Sequence, residues 1–211
     1  MKTDDLIAAL AADAPPRGPR LDSVWAIALV CAALFALAVF FGTIGPRPDF
    51  WSAIQTIRFD FKFVLTGVLG VTSFVMLRAL AVPGAKRPHW SLLALAPALG
   101  IAAVILELIA LPPDTWQMAQ IGKNSVVCLT FIPIIGLAPV GALILALRRA
   151  APTRPTLAGG VAGLVAGGIA ATLYAAHCID DSPLFVMTWY PLAIAMLVVL
   201  GAVLGRIFAR W

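Results

Sequence analysis

The residues with the most chemical potential in this chain are two cysteines and the polar groups that the topology gathers around them. Cys178 stands in the stretch "YAAHCIDDSPLF", next to His177 and just ahead of Asp180 and Asp181. Cys128 lies in "GKNSVVCLTF", shortly after Lys123 and Asn124. Two thiols can form a reversible disulfide if they meet in an oxidising compartment. Thiolate and imidazole are also soft ligands suited to zinc, copper or cadmium, so Cys128, Cys178 and His177 with a carboxylate form a candidate metal set. Against a metal, the chain has no compact CxxC or HxxxH spacing. A third reading is that His177 and the carboxylates simply mark a membrane–water boundary. Cys31, elsewhere in the chain, reads as a small buried hydrophobe without a role.

These residues can meet only if long apolar elements bring them together. Of the 211 residues 62% are hydrophobic and 12% charged, which excludes an ordinary soluble domain. Apolar runs at about 23–44, 61–82, 90–111, 126–147, 156–177 and 184–207 are each long enough to cross a bilayer. They are continuous rather than alternating, so they predict helices and not a barrel. The expected fold is all-α: a polytopic bundle of six transmembrane helices, residues 23–211, preceded by a short cytoplasmic tail, residues 1–22. A cleavable signal is not expected, because Asp4, Asp5, Asp13 and Asp22 are wrong for an n-region, although Ala36-Leu37-Ala38 resembles a cleavage site.

The net charge of +5 follows topology rather than a nucleic-acid footprint. Lys2, Arg17, Arg20, Arg78, Lys86, Arg87, Arg148, Arg149, Arg154, Arg206 and Arg210 fall on one side of the predicted spans. Arg47, Arg58, Lys62 and Lys123 fall on the other. The positive-inside rule then places both termini in the cytoplasm, here of a bacterial inner membrane. Cys128, in the first turn of the fourth span, and Cys178, just past the fifth, reach the same outer depth. Glu107, Lys123, Asn124, His177, Asp180 and Asp181 join them as an outward polar cap. Glu107 lies near the outer end of its span, where it reaches water or pairs with Lys123.

The remaining signals read as structure. Gly159, Gly163 and Gly167 recur every four residues and permit close helix packing. Pro133 and Pro139 are expected to kink or loosen the fourth span. Arg78 can snorkel. Trp25, Trp51, Trp90, Trp116, Trp189 and Trp211 suit an interfacial belt. Pro83-Gly84 and Pro112-Pro113 mark tight connections. In the tail, Thr3 can cap a helix whose first turn holds Asp4 and Asp5, with Leu6, Ile7 and Leu10 on one face. Pro15 and Pro16 end it. An isolated helix of roughly ten residues is marginal in water, so it orders against a partner. Its acidic polar face opposes docking on anionic lipid and favours a cytoplasmic protein.

Three stretches resemble the NrsF family of six-span inner-membrane anti-sigma factors: "TDDLIAALAADAPP" at the start, "GKNSVVCLTFIPIIGLAPVGALILALRRAAPT" at 122–153, and "HCIDDSPLFVMTWYPLAI" at 177–194. The resemblance implies that Asp4, Asp5, Leu6, Ile7, Leu10 and Asp13 bind an extracytoplasmic-function sigma factor. It also implies that Cys128 and Cys178 take part in stress sensing, with oxidants or heavy metals as cues. It implies no enzymatic activity, no cofactor beyond a transient metal ion, and no direct contact with nucleic acid. The alternatives are a membrane thiol oxidoreductase, for which the missing CxxC is an objection, and a small transporter, which requires a polar midplane site.

Overall fold

The structure is a computed structural model that describes residues 3–13, 20–82 and 90–210. Lys2, Pro15, Pro16, Arg17, Pro83, Gly84, Lys86, Arg87, Trp211 and the side chain of Leu10 lie outside the described residues. Among the described residues the chain is helical with turns and no strands. The elements are α1 (Thr3–Ala12), α2 (Leu21–Thr43), α3 (Phe50–Ala53), α4 (Ile57–Ala81), α5 (Leu95–Ala110), α6 (Trp116–Ile121), α7 (Ser125–Leu147), α8 (Pro155–Ala175) and α9 (Pro183–Phe208). Short 3-10 turns, Trp90–Ala94 and Pro113–Thr115, lead into α5 and α6. Six helices, α2, α4, α5, α7, α8 and α9, are long and apolar enough to cross a membrane. The protein is thus an all-α polytopic bundle with the six spans the hydropathy pattern predicts.

Two boundaries differ from the sequence reading. The second span starts at Ile57, several residues earlier than expected, because Arg58 and Asp60 lie in its first turn rather than ahead of it. The connection opened by Pro112 and Pro113 is not a bare turn. It folds into a 3-10 turn and α6, where the Trp116 indole donates to Leu111 O at 3.1 Å and Trp189 donates to Gln120 O at 2.8 Å.

Helix α8 forms the centre of the bundle and packs against α9, α4 and α7. Its small residues permit this. A Cβ on Gly159 would lie 2.2 Å from Gly201 O, and one on Gly163 would lie 2.3 Å from Leu197 O. In a bilayer helices gain little by excluding lipid from one another, so this close backbone packing is a main source of cohesion. Helix α7 runs as one α-helix through Pro133 and Pro139. Helix α5 is peripheral, touching mainly α9 and α4. Trp25 belongs to the core rather than an interfacial belt: it is 2% exposed and meets Phe74 edge-on, with centroids 6.0 Å apart. Arg78 pairs with Asp22 at the end of the bundle where α2 begins.

Candidate functional site: a buried polar cap

At the opposite end, three connections converge: 44–56, 111–124 and 176–182. The last of these carries Cys178 and has no regular structure from residue 178 to residue 182. Backbone groups that lack a ladder must find other partners. Here nearly every polar group of the segment is tied to a different element.

Asp180 faces α7. Its carboxylate accepts the backbone N–H groups of Lys123, at 3.0 Å, and Asn124, at 2.8 Å. The Asn124 N–H belongs to the first turn of α7, whose donors have no intrahelical acceptor and whose dipole favours an anion. Gly122 makes the approach feasible. Its φ is +57°, and a Cβ there would lie 2.4 Å from the Phe185 ring and 2.8 Å from Asp180 Cγ.

Asp181 faces the other way, toward α4. It accepts from the Lys62 ammonium at 2.5 Å and from Arg47 Nη1 at 3.0 Å. Lys62 is fully buried. It also donates to the Cys178 carbonyl at 2.8 Å and sits 5.0 Å from the Phe59 ring centroid, a cation–π contact. Arg47 donates through Nε and Nη2 to Asp49, each at 2.7 Å, in a bidentate pair. Those bonds hold the Arg47 guanidinium above, and the Asp49 carboxyl below, their ordinary titration ranges. Arg47 N–H donates to Ala176 O at 3.0 Å, and His177 Nδ1 lies 2.9 Å from Gly45 O. Gly45 ends α2 at φ +61°, which turns that carbonyl toward the histidine.

Ser182 and α9 are held by Glu107. Its Oε2 accepts the Ser182 hydroxyl at 2.8 Å and the Leu184 N–H at 2.9 Å, so a carboxylate of α5 caps the first turn of α9. Glu107 is 4% exposed, and its Oε1 lies 3.4 Å from Arg58 Nη1 without forming a hydrogen bond. The expected pairing with Lys123 is therefore corrected. The Lys123 side chain is exposed and only its backbone takes part, donating to Asp180, while Glu107 is engaged by Ser182 and Leu184.

The two cysteines lie behind this polar layer. Cys128 and Cys178 are free thiols, both at 0% exposure, in one core cluster and within electrostatic range of each other. Cys178 Sγ is 3.6 Å from Asp180 O. Tyr174 donates to Asn124 O at 3.3 Å, and its ring lies 5.8 Å from that of Tyr190. Burial pushes the Cys178 thiol up, and the Lys62 ammonium opposes that in part. Cys31 is partly exposed on α2 and takes no part in the cap.

Most of the predicted cap residues are thus brought together, in separate roles. Among the described residues no three His, Cys, Asp or Glu side chains converge as metal ligands. His177 is directed at Gly45 O. In the tail, Asp4, Asp5, Leu6 and Ile7 are exposed on α1, and Asp13 is exposed just past its end. Sequence reasoning missed Arg47 and Lys62 as site residues and used them only to count charge. The available signal was a lysine among Phe59, Phe61 and Phe63, since a charge set in an apolar span is rare and has a partner. A cavity of about 360 Å³ opens between α4, α5, α8 and α9, away from the cap; Thr66 and Tyr190 supply its polar side chains.

Fold and site define a six-span helical membrane protein whose polar chemistry is concentrated in a buried cap at one end. The chain belongs to the NrsF family, described as negative regulator of sigma F, whose profile matches residues 10–211. It is 37% identical over 221 residues to the anti-sigma-F factor NrsF of Caulobacter vibrioides, and the match covers 100% of both chains. It is 32% identical over 214 residues to the probable anti-sigma-F factor NrsF of Azospira oryzae, again over 100% of both. No solved structure matches it.

Proposed function

We propose that this protein is an anti-sigma factor that holds an extracytoplasmic-function sigma factor at the bacterial inner membrane. Residues 1–22 form the cytoplasmic binding tail and residues 23–211 the transmembrane sensor. The observation that carries the reading is α1, where Leu6 and Ile7 are 43% and 59% exposed beside Asp4 and Asp5. An apolar stripe on a helix this short is stabilised by insertion into a partner's groove. The relatives are named for sigma F, which makes a sigma factor the partner. The protein acts by sequestration and not by catalysis.

Orientation follows from charge. Arg78, Arg148, Arg149, Arg154, Arg206 and Arg210 lie at the end of the bundle where α2 begins, and this end faces the cytoplasm. At the cap, Arg47 and Lys62 are neutralised by Asp49 and Asp181. Cys128 and Cys178 then lie at the periplasmic end, behind the cap. A periplasmic two-electron oxidant would join the two sulfurs, with loss of two protons and two electrons, or a heavy metal would take their thiolates. Either event moves the 178–182 segment against α7 and α9. Coupling of about 1–3 kcal/mol is typical of effectors and changes affinity roughly 5–150-fold. A disulfide closing such a loop supplies up to ~4 kcal/mol. The experiment replaces both cysteines by serine and follows transcription from sigma-dependent promoters under oxidant and cadmium. The reading predicts a lost response; a response equal to wild type contradicts the thiol switch.

A further inference from the structure

Cys178 is held in the cap by its own backbone. Its N–H donates to Tyr174 O at 3.0 Å, and its carbonyl accepts from Lys62 Nζ at 2.8 Å and Arg47 Nη1 at 3.3 Å. The two cations differ in what carries them. Arg47 stands on a connection, while Lys62 stands on α4, a spanning helix packed along α8. Lys62 also grips Asp181, three residues after Cys178. One fully buried ammonium therefore pins both ends of the turn 178–181 to a rigid helix. Asp180, within the turn, is anchored separately on the loop before α7, and Ser182, just after it, on Glu107. Among the described residues Lys62 alone joins α4 to the backbone of Cys178 itself.

We propose that Lys62 is the positioning residue that keeps Cys178 sealed beside Cys128, so that both thiols meet water-borne reagents only when the Lys62–Asp181–Cys178 contact opens. The inference rests on the thiol pair being the sensing element, and it adds the gate that sets how fast a cue gains access. A buried group reacts through local opening, and the strength of the contacts that must break sets the open fraction. A charge-assisted bond buried in the cap is among the strongest of these. Lys62→Met keeps the length and apolar stem and removes every donor. Lys62→Arg keeps the charge and donors.

The experiment measures labelling of the full-length protein in membranes by a membrane-impermeant maleimide, read peptide by peptide. Arg78→Gln, at the other end of the bundle, serves as a control. Cys178 in Lys62→Met should label at least about tenfold faster than in wild type, the scale of losing a charge-assisted buried bond from an opening equilibrium. Lys62→Arg should return toward the wild-type rate, and Arg78→Gln should match it. Wild-type labelling of Cys178 in folded Lys62→Met overturns the proposal, as does an equal rise in Arg78→Gln. If Lys62→Met does not accumulate, Lys62→Gln is read in its place: its shorter, neutral amide cannot restore the ammonium contacts, a rise in the same direction is expected, and a wild-type rate overturns the proposal. Faster labelling with an unchanged promoter response leaves the gate standing and removes the thiol-switch reading.

Discussion

Asp180 and Asp181 are neighbours in sequence and turn their carboxylates to different elements: Asp180 takes the N–H groups ahead of α7, and Asp181 takes the cations of α4 and the 44–56 connection. This divergence ties the segment after α8 to both sides of the bundle at once. It also gives the two carboxylates unequal consequences when they are removed.

Among the described residues, removal of Asp181 leaves the buried Lys62 ammonium with only the Cys178 carbonyl as a hydrogen-bond partner. Removal of Lys62 leaves Asp181 still paired with Arg47. Asp181→Ala should therefore cost about 3–5 kcal/mol, the scale for an uncompensated buried charge, and Lys62→Met about 1–2 kcal/mol. The double variant should cost less than the sum, because the second change removes the charge stranded by the first. Thermal unfolding of the purified protein in detergent, run as a double-mutant cycle, checks this.

Glu107 should act as a cap for α9 rather than as an ion-pair partner. Glu107→Leu leaves the Leu184 N–H and the Ser182 hydroxyl without their acceptor and should cost about 1–3 kcal/mol. Glu107→Gln retains an acceptor oxygen and should recover most of that. Arg58→Gln should change stability by no more than about 1 kcal/mol, because its side chain is half exposed. The same unfolding assay separates the three.

The glycines of α8 offer a test within one helix. Gly160→Ala places its Cβ no closer than 3.7 Å to other atoms and should be neutral. Gly159→Ala and Gly163→Ala drive a Cβ into the backbone of α9, at 2.2 and 2.3 Å. Each should separate α8 from α9 and cost about 1–3 kcal/mol or more, the range for overpacking. Stability and yield in membranes report the contrast.

Cys178 should show the pH behaviour of a buried thiol. Its thiolate is disfavoured by burial more than Lys62 favours it, so its folded titration lies above the ordinary value of 9.0. Its alkylation rate should therefore still be climbing with pH where an exposed thiol has levelled off. In stability terms the raised value means a contribution that is present below the unfolded thiol's pKa and lost as pH rises toward the folded one. A rate–pH profile that flattens at or below that of a free peptide thiol would contradict this.

The spans were legible in sequence because a bilayer imposes a length and an apolar composition that few other structures share. Their alternation brought Cys128, Cys178, Asp180 and Asp181 to one end. The pairings were not legible. Lys62 reads as a boundary residue in a hydropathy window, and only the helix phase of α4 turns it inward onto Asp181 and Phe59. Lys123 is the lysine nearest Glu107 in sequence, yet the Glu107 hydrogen bonds go to Ser182 and Leu184 at the start of α9, since three-dimensional neighbours across helices leave no local trace. Trp25 sits at a span end like an interfacial residue, and α4 covers it with Phe74.

The most direct test of the account is co-purification of the sigma factor with the full-length protein from detergent-solubilised membranes, comparing wild type with Leu6→Asp/Ile7→Asp. The account predicts that the sigma factor is retained by wild type and lost from the double variant, with equal amounts of the membrane protein inserted. Retention of the sigma factor by a correctly inserted Leu6→Asp/Ile7→Asp protein would contradict it.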